Sequence, residues 1–331
     1  MTGVAIASYL SEADERILAN DVLDGLTRPF KELPPKHFYD ARGSELFEQI
    51  CELPEYYPTR TEVGILGDWA DEIVARTGAG ELVELGSGTA DKARILLDAM
   101  ARAGTLRRYV PLDVAERMVA DSARQLVEEY DGLEVHGVIG DFERHLDHVP
   151  DTDGTPRIVA LLGGTVGNFP PGTRRTLLRN MGTLLGRDDR LLLGTDLVKD
   201  PAVIEAAYDD RAGVTAEFNR NLLHVINREL GANFVADQFE HVAFFDDKHQ
   251  WVEMRLRALA ACSVEIGDLG MTVEFEAGEE LRTEISAKFT RERLEADYRA
   301  AGLALEHWYT DEDELFALSL AGREGAQSPA G

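Results

Sequence analysis

Residues 82–91 read LVELGSGTAD, and this stretch decides the fold. Leu82, Val83 and Leu85 make a short apolar strand, and Gly86, Ser87, Gly88 and Thr89 a tight turn. Helical spacing follows from Asp91 to Met100. A strand, a glycine turn and a helix N-terminus together cradle a nucleotide-like ligand. Gly86 and Gly88 let backbone N–H groups approach it with no Cβ in the way. The cradle does not suit pyrophosphate. A dinucleotide fingerprint wants a third small residue where this chain has Asp91. A carboxylate there sets negative charge beside negative charge, and Glu84 adds another, so a cationic ligand fits better.

Two further landmarks narrow the ligand. The run VPLD at 110–113 ends in Asp113, 25 positions past Gly88, where the next strand should end. A carboxylate there commonly binds both ribose hydroxyls. After the apolar run Val135–Ile139 come Gly140, Asp141 and Phe142, an acid plus an aromatic suited to an adenine ring. Any one of these motifs alone is an ordinary strand–helix turn. The three in order imply S-adenosylmethionine, which carries adenosine and a sulfonium but no phosphate.

Outward from the turn, strands are expected at 81–85, 109–112, 134–139, 157–163 and 190–195, with helices at 91–103, 115–129 and 172–186. Strands alternating with helices imply a parallel, doubly wound sheet. Residues 158–162 are wholly apolar, as a buried central strand should be, and run into GGTVGN at 163–168. Ligands of such sheets bind outside the carboxyl ends of the strands, which groups Gly86, Asp113, Asp141 and Asn168 around one cleft.

Upstream, an amphipathic helix is expected over 11–26, where Ser11 and Asp14 resemble a capping box. Two prolines break the chain at 33–39, a short helix covers 44–53, and an aromatic-rich loop covers 54–60 before a helix at 61–76. Tyr39, Tyr56 and Tyr57 read either as surface packing or as a lid over the site. Downstream of Asp196, helical runs at 202–218 and 218–230 precede strands at 251–258, 262–266 and 271–275. This block is too long for a loop and reads as an inserted second domain. In a strand over 279–289, Glu284, Ser286 and Lys288 share one face. A helix at 291–301 and a strand at 316–320 complete the first domain. The expected division is 1–60 as a helical segment and lid of the substrate domain, 61–196 as the cofactor domain, 197–285 as the insertion, 286–321 as the return and 322–331 as a disordered tail.

Composition excludes several classes. The chain has 331 residues, 44% of them hydrophobic, enough for two packed domains. Its net charge of −27 disfavours nucleic acid and anionic membrane surfaces. No apolar run reaches membrane-span length and no basic-then-apolar leader is seen, so a cytoplasmic location is expected. Cys51 and Cys262 are expected to be isolated thiols, and His145 and His148 to be solvated, so no metal site is expected.

Seven segments together carry a family resemblance: LPPKHFYD at 33–40, LPEYYPTRTE at 53–62, ELGSGTADK at 84–92, GGTVGN at 163–168, LLLGTDLVKD at 191–200, AYDDRAGVTAEFNRN at 207–221 and TEISAKF at 283–289. The chain resembles the L-histidine Nα-methyltransferases of ergothioneine biosynthesis. The resemblance implies an α/β fold with a Rossmann-like, doubly wound, mostly parallel sheet (a class I methyltransferase) and a second α+β substrate domain that closes the histidine pocket. It implies S-adenosyl-L-methionine as methyl donor and trimethylation of the α-amino group of L-histidine to hercynine; no metal is needed, and a monomer is expected. Carried across by residue, it places Gly86, Lys92, Asp113, Asp141 and Phe142 on the cofactor. Tyr56, Asn168 and Tyr208 contact the amino acid, Asn168 and Tyr208 near its carboxylate and Asn168 and Tyr39 near its amine. Glu284 and Ser286 hold the imidazole. Gly164 and Ala93 stand where family members often have Ser and Thr, and neither change removes a role.

The chemistry asks one proton question. An α-ammonium has no lone pair, and its pKa near ~8 leaves little free amine at neutral pH. Tyr39 is the candidate hydrogen-bond partner or relay to water; otherwise it is a pocket wall and bulk water takes the proton. Three alternatives stay open: a relative acting on another aromatic amino acid, a non-catalytic sensor of S-adenosylmethionine, and a nicotinamide-dependent dehydrogenase, against which Asp91 argues.

Overall fold

The computed structural model describes residues 3–325 apart from residues 12, 13 and 15. In chain order the elements are β1 (Val4–Ser8), α1 (Ile17–Leu26), β2 (Lys31–Glu32), α2 (Ala41–Glu52), α3 (Tyr57–Thr77), β3 (Glu81–Leu85), α4 (Asp91–Ala103), β4 (Arg108–Asp113), α5 (Glu116–Glu129), β5 (Glu134–Ile139), β6 (Arg157–Leu161), α6 (Pro171–Thr183) and β7 (Arg190–Asp196). They continue with α7 (Pro201–Tyr208), α8 (Val214–Leu230), β8 (Phe239–Asp246), β9 (Trp251–Ala258), β10 (Cys262–Ile266), β11 (Met271–Phe275), β12 (Glu280–Ala287), α9 (Arg291–Ala300), β13 (Leu303–Thr310) and β14 (Phe316–Arg323). No helix among the described residues is long and apolar enough to cross a membrane.

Two compact units divide the chain. The first holds the described residues of Met1–Ser11, Arg60–Leu197 and Phe289–Gly331; the second holds those of Glu12–Thr59 and Val198–Lys288. In the first, eight strands run in the order β1-β5-β4-β3-β6-β7-β14-β13. The six from β1 to β7 pair parallel, while β14 pairs antiparallel with both β7 and β13. β3, β6 and β7 are buried along their whole length, which suits the apolar runs Ile158–Leu161 of β6 and Leu191–Leu193 of β7. Helices supply the other layers. Ile65, Leu66 and Ile73 of α3 and Leu96, Leu97 and Met100 of α4 pack with strand residues Leu82, Ile158 and Leu192 in one core. α4 stops at Gly104, which takes a left-handed φ of +72°.

In the second unit, β2-β12-β9-β8 form a four-stranded sheet and β10-β11 a separate hairpin. α7 and α8 pack on β8 and β9, and α8 also packs on α2.

Several expectations are corrected here. Residues 4–8, expected in a helical N-terminal segment of the substrate domain, form an edge strand of the large sheet. All five residues of β1 are exposed, so burial leaves no alternation for sequence to show. Of the helix expected over 11–26, α1 covers Ile17–Leu26, and positions 12, 13 and 15 lie outside the described residues. The helical run expected through 202–230 breaks at Asp209–Gly213. There Asp210 accepts from the backbone N–H groups of Val214 and Thr215 at 3.1 and 2.7 Å, and Gly213 turns left-handed. β12 stays in the second unit, so the return begins at Phe289 rather than Ser286. β14 runs on to Arg323, two residues into the expected tail, and residues 326–331 lie outside the described ones. β8 and β13 were not expected as strands.

Candidate active site

The glycine turn sits where the strand order reverses: β4 and β5 lie to one side of β3, β6 and β7 to the other. Open α/β sheets bind their ligands at such a switch point. Gly86 and Gly88 take φ of +71° and +50°, which glycine adopts without strain. Ala90 follows at φ 62°, a Cβ-bearing residue held left-handed just before α4.

The first unit gathers the expected cofactor residues around this turn. Asp113, at the end of β4, accepts from Gly88 N–H and from Ala115 N–H, each at 2.9 Å. One bond per oxygen leaves lone pairs for two hydroxyls. Phe142 lies 3.8 Å from where a Cβ on Gly86 would stand, and its ring meets Phe169 edge-on at 6.3 Å. Asp141 donates its backbone N–H to His145 Nδ1 at 3.0 Å, while its side chain accepts from Glu143 N–H at 2.8 Å. His145 is therefore a buried prop of this loop rather than a solvated residue; its partner His148 stacks on Tyr9 at 3.8 Å. Asn168 ends the short turn Thr165–Asn168 that follows β6.

Two carboxyl groups beneath the turn behave differently. Glu62 of α3 is fully buried and accepts from Gly163 N–H at 2.9 and 2.8 Å and from Lys92 Nζ at 2.5 Å. Glu84, at the end of β3, accepts from the Tyr109 hydroxyl at 2.5 Å. Burial pushes its pKa up to about 8, against the pull of Tyr109 and Lys92. Burial thus shifts this carboxyl toward its neutral form, against the negative charge expected of it.

In the second unit three tyrosines share an aromatic cluster. Tyr39 meets Phe47 and Phe218 edge-on at 5.5 and 5.7 Å. Tyr56 meets Phe47 at 6.1 Å and Tyr208 at 6.4 Å. Desolvation first, and then nearby negative charge including Glu284, hold the Tyr39 and Tyr56 phenols above their ordinary range. Tyr39 is still 47% exposed, so water softens the shift without reversing it. Either way its hydroxyl is neutral at physiological pH. Tyr57, expected beside them, is buried, and its hydroxyl accepts from Lys199 Nζ at 2.8 Å.

β12 carries the polar end of the cluster. Glu284 and Ser286, two apart, pair with Met254 and Val252 of β9. Burial raises Glu284 to about 7, and the charge of Lys288 draws it down. The Tyr208 hydroxyl donates to Ser286 Oγ at 2.8 Å. Lys288, fully buried, donates from Nζ to Ser286 Oγ and to Tyr208 Oη, both at 2.9 Å, and sits 4.6 Å from the Tyr208 ring centre. This unit thus brings Tyr39, Tyr56, Tyr208, Glu284 and Ser286 into one polar and aromatic neighbourhood.

Comparison with known proteins decides the family. The family model described as histidine-specific methyltransferase, SAM-dependent, matches residues 18–323. The chain belongs to this family. Among its relatives, the histidine N-alpha-methyltransferase of Mycolicibacterium smegmatis is 49% identical over 321 residues, covering 97% of this chain and 99% of the relative. The protein of the same name from Mycobacterium tuberculosis gives the same identity and coverage. Ergothioneine biosynthesis protein 1 of Neurospora crassa is 30% identical over 278 residues, covering 82% of this chain and 31% of that longer protein.

In this methyltransferase, two buried groups escaped the sequence reading. Glu62 was hidden inside α3, although an acid four residues before Leu66 of the core stripe is a usable signal. Lys288 shares the face of Glu284 and Ser286 in the sequence pattern, but its burial has no local signal, because a lysine at a strand end ordinarily points to water.

Proposed function

We propose that this chain is a histidine Nα-methyltransferase that moves methyl groups from S-adenosylmethionine to the α-amino nitrogen of L-histidine, three times in succession, giving hercynine as the first step of ergothioneine biosynthesis. The observation that carries the substrate choice is the buried pair Glu284 and Ser286, two apart on β12. Neutral imidazole offers one N–H and one acceptor nitrogen. A carboxylate takes the first and a hydroxyl serves the second.

Gly86, Lys92, Asp113, Asp141 and Phe142 are the residues assigned to S-adenosylmethionine. The left-handed glycines and the spare lone pairs of Asp113 suit an adenosine, and the raised pKa of Glu84 favours its neutral form beneath it. When bound, the cofactor supplies a methyl group on a sulfonium, a good neutral leaving group. The protein's share is positioning and proton handling. Asn168 is assigned to the substrate carboxylate, since the Tyr208 proton is engaged by Ser286. Tyr56 and Tyr208 bound the amino acid with their rings. Tyr39 is a neutral phenol and so cannot act as a base in its ionised form. It is assigned as the acceptor that orients the amine N–H and relays the proton to water.

The test is mass spectrometry of L-histidine incubated with the protein and S-adenosylmethionine, with phenylalanine and tryptophan as competitors. Mono-, di- and trimethylated histidine should accumulate in turn while the competitors stay unmodified. Glu284→Ala should lower histidine affinity by about thirty- to a hundredfold where the carboxylate is ionised. Methylation of the competitors at a similar rate, or histidine binding unchanged in Glu284→Ala, would remove the imidazole assignment.

A further inference from the structure

We propose that Lys288 is a positioning residue for substrate choice: together with Tyr208 it fills both acceptor sites of Ser286, so that the serine's own proton is presented to the ring of the bound amino acid. The proposal rests on the assignment of the imidazole to Glu284 and Ser286 made above.

A serine hydroxyl has one proton to give and two lone pairs to receive with. Ser286 Oγ receives the Tyr208 proton at 2.8 Å and a Lys288 proton at 2.9 Å. The direction of the Tyr208 bond follows from acidity, since a phenol donates better than an alkyl hydroxyl. Lys288 has no lone pair to offer in return, and its second bond, to Tyr208 Oη at 2.9 Å, takes one lone pair of that oxygen and so disfavours a bond in the reverse sense. With both acceptor sites filled, the Ser286 proton has only outward directions left. The ammonium also polarises the hydroxyl and makes it a stronger donor.

The consequence is selection of a tautomer. Glu284 accepts a ring N–H, Ser286 donates to the other ring nitrogen, and the two cannot exchange roles while the serine's lone pairs are occupied. Removing Lys288 reopens one lone pair, lets the hydroxyl rotate and lets Ser286 accept. The ring then loses its fixed protonation pattern, and an indole or a phenyl is rejected less strongly.

A double-mutant cycle in the full chain tests this, with histidine affinity read by calorimetry in the presence of S-adenosylhomocysteine. Ser286→Ala and Lys288→Met should each weaken histidine about tenfold, and the double variant should be no more than about twofold weaker than either single one, because Lys288 acts through Ser286. Affinity for S-adenosylhomocysteine should stay at the wild-type value throughout. Ring-15N-labelled histidine bound to wild type should show one protonated and one hydrogen-bonded acceptor nitrogen, and the two resonances should move together in Lys288→Met. If Lys288→Met does not fold, Tyr208→Phe closes the same cycle with Ser286→Ala, since it deletes the other proton entering Oγ and keeps the ring. Wild-type histidine affinity in Ser286→Ala would sink the imidazole assignment itself. If Ser286→Ala weakens binding while Lys288→Met does not, if the double variant shows the product of the two losses, or if the bound tautomer is unchanged in Lys288→Met, the positioning role of Lys288 is wrong.

Discussion

At the scale of single residues, protonation decides more than identity does. Glu284 keeps its proton up to about pH 7 in the folded protein, against an ordinary value of 4.5. The folded state therefore binds this proton more tightly than the unfolded chain. Stability from the group is fully present below the unfolded value and is lost as pH rises through about 7. Glu284→Gln removes the penalty of an ionised buried group. It should be more stable than wild type at pH 8.5, by on the order of 2 kcal/mol, and close to wild type at pH 5. Urea denaturation at the two pH values measures this; an equal difference at both would show that Glu284 does not titrate differently in the fold. Tyr39→Phe isolates the hydroxyl on the proposed proton route. Its kcat should fall most for the first methyl transfer, with histidine affinity nearly kept, and wild-type turnover across neutral pH would make Tyr39 a wall only.

Elements present these residues, and two element ends are each held by an aspartate. Asp113 closes β4 onto the glycine turn through Gly88 N–H and also caps the start of the following segment through Ala115 N–H. Asp113→Ala should weaken S-adenosylmethionine binding by roughly ten- to a hundredfold, since a charge-assisted hydrogen bond and the turn's anchor are lost together. Calorimetry on the folded variant reads this, and an unchanged affinity would take Asp113 out of the cofactor site. The other end is the break between α7 and α8. Gly213 offers no side chain to cap α8, so Asp210 does it from three residues upstream. Asp210→Ala should cost about 1 kcal/mol of stability, the usual worth of an N-cap. Asp210→Asn, which keeps an acceptor oxygen, should recover most of it in thermal unfolding. No loss in Asp210→Ala would mean that the backbone holds this break unaided.

For the whole molecule, charge is the dominant long-range fact. The chain carries 61 acidic against 34 basic residues. Buried pairs such as Arg157–Glu81 at 2.6 Å and Arg174–Asp297 at 2.7 Å use some of the acids, but most of the excess faces water. Self-repulsion of that size opposes the compact state and is screened by salt. Raising NaCl from about 20 to about 200 mM should lift the unfolding midpoint by roughly 2–5 °C. A falling midpoint would mean that the screened ion pairs outweigh the repulsion.

The sequence by itself determined the central strands of the sheet unit and the glycine turn at their switch point. β3, α4, β4 and β5 fall within a residue of their expected bounds. Their signals are local: apolar runs of strand length, helical spacing, and glycines at two turn positions of positive φ, Gly86 and Gly88. It also placed Glu284 and Ser286 on one face, because strand alternation is a property of the backbone. Tertiary structure alone decided the rest. The pairing of β1 with β5 has no local signature, because an exposed edge strand has nothing to alternate against. The contact of Glu62 with Gly163 joins positions 101 residues apart, and that of Tyr208 with Ser286 spans 78. The raised pKa values of Glu84 and Glu284 depend on what surrounds each carboxyl in three dimensions, since desolvation comes from every packed neighbour and not only from the residues beside it in the chain.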